Sequence, residues 1–119
     1  SKILINKGID NKMNTFEEYV EKFINMTNNN ELVWKEMTGF SHESRCSYRC
    51  NYKNTSIVLK HFSNSGIVFN TLSINGAERT EEQTLYSDLS NLCYSIITQI
   101  KNRETERMLK VLNELEEKE

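Results

Sequence analysis

Ten consecutive residues constrain the architecture more than any others. From Ser44 to Lys53, Cys46, Tyr48, Cys50 and Tyr52 alternate with Arg45, Ser47, Arg49, Asn51 and Lys53. Successive side chains of a β-strand point to opposite faces, so this period of two predicts a strand with one apolar and one basic face. Such a strand needs neighbours and a cover for its apolar side. Glu31–Thr38, Thr55–Phe62 and Ile67–Asn75 read as three more strands. The intervening Gly39–Glu43, Lys53-Asn54 and Ser63–Gly66 are short enough to join antiparallel partners. The expectation is a four-stranded antiparallel meander.

The loop lengths give a register. A two-residue turn at Lys53-Asn54 sets Cys50 opposite Ile57, Tyr48 opposite Leu59 and Cys46 opposite His61. A loop over Ser63–Gly66 sets Ile57 opposite Leu72 and His61 opposite Val68. A five-residue first loop sets Trp34 opposite Tyr48 and Leu32 opposite Cys50. One face then collects Leu32, Trp34, Tyr48, Cys50, Ile57, Leu59, Val68, Leu72 and Ile74 as the core. A slip of one residue in any strand would scatter that set.

Two helices are expected to cover it. Phe16, Tyr19, Val20, Phe23 and Ile24 line one face of a helix over Thr15–Thr27. Thr15 and Glu18 make a capping box, and Asn28-Asn29-Asn30 supplies the stop. After the Asn75-Gly76 turn no further strand is read. Thr80 and Gln83 look like a second capping box, opening a helix whose stripe runs Leu85, Leu89, Leu92, Cys93, Ile96, Ile97 and Ile100. The stripe pauses over 101–107 and resumes at Met108, Leu109, Val111, Leu112 and Leu115. With no Gly or Pro to stop it, a helix from Glu81 to Lys118 would run about 57 Å. The fold class is therefore α+β: an N-terminal helix, the meander, and a long C-terminal helix packed on one sheet face. The expected organisation is a single domain over 13–119 with a helical tail from about 101. The chain opens on Ser1-Lys2, so residues 1–12 are read as a tag-like or flexible lead-in, with Met13 as a candidate start.

Composition narrows the function classes. The hydrophobic fraction is 37%, the charged fraction 27% and the net charge −2, which suits a globular chain with no global attraction to nucleic acid or anionic membrane. No apolar run approaches the roughly 20 residues of a membrane span, and no secretory leader is read. Cys46 and Cys50 would lie about 13 Å apart along one strand, too far for a disulfide or a shared zinc ion. With Cys93 they are expected as free thiols in a reducing, cytoplasmic setting.

The motif search is mostly negative. The four glycines are isolated, and HExxH, CxxC and metal-spaced His/Cys clusters are missing, so no cofactor and no metal are expected. The register does set Glu36, Cys46 and His61 in one row, the parts of a nucleophilic triad. The bland reading of that row, a hydrogen-bonded polar rim with an inert thiol, is preferred because no oxyanion-hole signature accompanies it.

Two surfaces remain. The sheet's outer face would carry Val33, Lys35, Met37, Arg45, Arg49, Val58, Lys60, Phe62, Ile67 and Phe69: cations interleaved with apolar side chains. It could be covered by residues 1–12, the tail or a second subunit. It could bind a protein, or it could bind single-stranded nucleic acid with Phe62 and Phe69 as stacking platforms. The RNP signature of RNA-recognition motifs is absent. The second surface is Met108, Val111, Leu112 and Leu115, a stripe with no reason to exist on a solvated helix unless something covers it. The expected function is a non-enzymatic interaction module, of the kind met among small inhibitor, immunity or accessory proteins of phage and mobile elements. Its partner would be another protein or a second copy. A single-stranded nucleic-acid binder is the alternative and a thiol enzyme a distant third.

Overall fold

The structure, a computed structural model, describes residues 14–37 and 45–118. The lead-in over 1–12, Met13 and the loop with His42 lie outside those residues. The elements are α1 (Phe16–Asn28), β1 (Lys35–Glu36), β2 (Arg45–Tyr52), β3 (Thr55–Asn64), β4 (Ile67–Ile74), β5 (Ala77–Glu82) and α2 (Asp88–Glu117). The strands form one antiparallel sheet in the order β1-β2-β3-β4-β5. The class is α+β as read from the sequence, with five strands among the described residues in place of four.

The capping box of α1 is formed. Thr15 Oγ1 accepts from the Glu18 amide at 3.1 Å, and Glu18 Oε1 accepts from the Thr15 amide at 2.8 Å. Asn30 takes the left-handed conformation just past the helix, at φ 62°. The three hairpins from β2 to β5 turn on two residues with positive φ, Lys53-Asn54, Ser65-Gly66 and Asn75-Gly76. That geometry matches the right-handed twist of the flanking strands.

Between β2 and β3 the register is as expected: Cys50 faces Ile57, Tyr48 faces Leu59 and Cys46 faces His61. Two others shift by two residues. Ile57 faces Ile74 and His61 faces Asn70, because the turn is Ser65-Gly66 and not the four residues Ser63–Gly66. In the first hairpin Glu36, not Trp34, faces Tyr48. A shift of two preserves the face, so the core survives both changes. Leu32 and Trp34 are fully buried although they precede a strand only two residues long.

β5 corrects the expectation that no strand follows Asn75-Gly76. Thr80 pairs with Thr71 in the ladder, so no capping box forms with Gln83. The helix starts later, capped by Ser87, whose hydroxyl accepts from the Ser90 amide. Leu85 and Tyr86 lie in the connection and are exposed. Glu81 projects inward from β5, where its Oε1 accepts from Ser87 Oγ at 2.7 Å and from the Leu89 amide at 3.2 Å. A strand carboxylate thus sits at the positive end of α2.

Both helices pack on the inner face. Val20 and Phe23 of α1 and Leu89, Leu92, Cys93 and Ile96 of α2 close over Tyr48, Cys50, Ile57, Leu59 and Leu72. Among the described residues no helix is long and apolar enough to cross a membrane.

Candidate interaction surfaces

The long helix leaves the body at a polar clamp. Gln99 is 5% exposed at the border of the apolar stripe of α2. Its Oε1 accepts from the Trp34 amide at 2.9 Å, and its Nε2 donates to the carbonyls of Leu32 at 2.7 Å and Thr27 at 2.9 Å. Thr27 Oγ1 accepts from Trp34 Nε1 at 2.9 Å, and Arg103 donates to both the Trp34 carbonyl and Gln99 Oε1. One amide therefore satisfies the irregular backbone that carries Leu32 and Trp34 into the core. Sequence reasoning passed over Gln99. The available signal was a long polar side chain among Ile96, Ile97 and Ile100.

Beyond Arg103 the helix runs on to Glu117 without a break, and every residue from Glu104 to Lys118 is exposed. Met108, Leu109, Val111, Leu112 and Leu115 are between 50% and 63% exposed. At about 100° per residue, Met108, Val111, Leu112 and Leu115 form one stripe, with Leu109 at its margin. That stripe is rotated by about a quarter-turn from the line of Leu89, Leu92, Cys93 and Ile96 that meets the sheet. It is a separate face and not a continuation of the buried one.

The sheet's outer face gathers its expected residues. Lys35, Arg45, Arg49 and Lys60 are exposed, and Phe62 and Phe69 are cross-strand partners. The two rings stack on one another at 5.6 Å between centroids and 27° between planes, half-buried by that contact. Lys35 and Arg49 stand directly opposite across β1 and β2. β5 adds carboxylates that the four-strand reading lacked: Glu78 lies 3.6 Å from Lys60, and Glu82 faces Phe69. The cations are left concentrated toward the β1–β2 side.

The supposed triad row is not assembled. Cys46 and His61 are partners, but Glu36 faces Tyr48, one inward position along. His61 Nδ1 lies 2.8 Å from Asn70 Oδ1 and 3.8 Å from Cys93 Sγ. Asn70, fully buried, donates in turn to Gln83 Oε1 at 3.0 Å and is 3.4 Å from Ser90 Oγ. Asn70 was missed from sequence, although a polar residue at an inward position between Val68 and Leu72 is a visible anomaly. Burial pushes the thiol of Cys93 up to about 11 and that of Cys50 up to about 12. Both stay protonated near neutral pH, the opposite of an activated thiolate. Among the described residues no group of His, Cys, Asp and Glu is placed to hold a metal ion.

These features define a class, a small α+β domain that holds a helical arm and a cationic sheet face clear of its core. No family model, curated protein or solved structure matches the chain.

Proposed function

We propose that this chain is a protein-interaction module whose binding element is the free end of α2. The carrying observation is the apolar stripe Met108, Val111, Leu112 and Leu115, displayed on a helix that the body anchors through Gln99 and Arg103 but does not cover. An amphipathic helix presenting anchors at such spacing is the form in which helices dock into grooves or against other helices. Burying each of these side chains against a partner is worth about 1.5–3 kcal/mol before association costs. The test is retention from an extract of the source cells, comparing the wild-type chain with Val111→Glu/Leu115→Glu. Proteins held by the wild type, copies of this chain included, should be lost from the variant. An unchanged set would end this reading.

The Lys35–Arg49 juxtaposition favours a second reading, single-stranded nucleic acid on the outer face. Like charges facing one another weaken a strand pair, and an anion there relieves it. A gel shift that weakens steeply with salt and is lost in Arg45→Glu/Arg49→Glu would support it. No shift at low salt would remove it.

A further inference from the structure

The free end of α2 has an uneven charge distribution. Residues 101–110 carry the four cations Lys101, Arg103, Arg107 and Lys110 against Glu104 and Glu106. Residues 111–118 carry Glu114, Glu116 and Glu117 against Lys118. The acidic half sits at the C-terminal end of the helix, and the last turn contains no basic residue. Carboxylates there face the negative pole of the helix dipole, an unfavourable placement. None of the ion pairs among the described residues, Lys60 with Glu78 and Arg79 with Glu17 and Glu81, involves this segment. The arm therefore carries an excess of carboxylates at its C-terminal end and an uncovered apolar stripe along its length.

We infer that the arms of two copies of this chain pack antiparallel, centred on Val111. This rests on the reading of the arm as the binding element and adds its partner. The apolar stripe runs from Met108 to Leu115, and its centre falls at Val111 and Leu112. A second arm laid antiparallel about that centre covers the stripe along its whole length. Met108 then packs beside Leu115 of the other copy, and Val111 meets its own counterpart.

The flanks agree with this register. Arg107 and Glu114 project on the same edge of the stripe, beside Val111, about 10 Å apart along the helix. In antiparallel helices like edges meet, so Arg107 of each copy reaches Glu114 of the other. Glu104 and Lys118, each two turns from Val111 and close to its line on the helix, meet across the same two-fold symmetry. In that register residues 111–118 of one arm lie beside 104–111 of the other, where Arg107 and Lys110 are the cations that meet its carboxylates. A parallel pair would place acid beside acid at the same depth. The charge pattern thus selects both the partner, an identical arm, and its direction.

The experiment uses the full chain with single charge reversals on an exposed surface that contributes nothing to the core. Mass is followed by sedimentation from micromolar to millimolar concentration. The wild type should pass from one chain to two. Arg107→Glu places two acid pairs at the interface, and Glu114→Arg places two basic pairs. Each alone should move the midpoint upward by roughly tenfold or more. An equimolar mixture of the two variants restores both opposite-charge contacts, so it should dimerise as the wild type does. A wild type of one-chain mass throughout would overturn the inference, as would a dimer indifferent to both reversals or a mixture no tighter than either variant alone. If the wild type is a single chain yet still retains other proteins through the stripe, the interaction reading stands and only the second copy is wrong. If retention ignores the stripe, the reading itself fails.

Discussion

Gln99 shows how much one side chain can organise. Its amide serves the backbone at Trp34, Leu32 and Thr27, of which the Thr27 carbonyl also accepts from the Asn30 amide at 3.1 Å. Gln99→Leu keeps the volume and removes those hydrogen bonds. Each buried polar group left unpaired costs about 1–3 kcal/mol, so urea unfolding should show a loss of several kcal/mol. Leu59→Ala, at a fully buried site in the middle of the sheet, should cost about 2–5 kcal/mol in the same assay. The buried thiols make a different prediction. Cys93 titrates near 9.0 when unfolded and at about 11 in the fold. The fold favours its neutral form, so the associated stability is complete below the unfolded value and disappears as pH rises through the folded one. Unfolding midpoints measured from pH 8 to pH 11 should fall, and Cys93→Ala should flatten the fall.

Among the elements, legibility followed burial. β2, β3 and β4 alternate apolar and polar residues because one face is in the core, and their faces were read correctly from sequence. β5 was missed for the same physical reason. Ala77–Glu82 is exposed on nearly every residue, so it carries no apolar alternation to read. Its Thr80 and acidic neighbours imitated a helix start, and the Asn75-Gly76 turn was the true signal. The thiol row failed on register: two residues of hairpin connection moved Glu36 away from Cys46, a difference invisible to facial periodicity. The arm was legible as a stripe without Gly or Pro, though its quarter-turn offset follows only once the buried face is known. The Ser65-Gly66 turn gives a test at this scale. Gly66 has φ +82°, and a Cβ there meets nothing within 4 Å. Gly66→Ala should therefore cost about 1–2 kcal/mol from backbone conformation alone, without loss of packing.

At the scale of the molecule, body and arm are energetically separate. Residues 104–118 bury nothing in the core, so deleting 104–119 should leave the urea midpoint of the body nearly unchanged while abolishing association. A truncated chain that no longer folds would show that the arm belongs to the core after all. The edge strands decide what kind of assembly remains open. β5 presents Glu78, Arg79, Glu81 and Glu82, and β1 is two residues long. Charged or very short edges resist the addition of further strands. Sheet-to-sheet growth, which has no natural end, is thereby closed off. The inferred contact is a self-complementary arm related to its partner by a two-fold axis, and such a contact uses up both copies of the surface that makes it. An assembly built on that contact would terminate at two chains, and raising the concentration would fill pairs without starting a fibre.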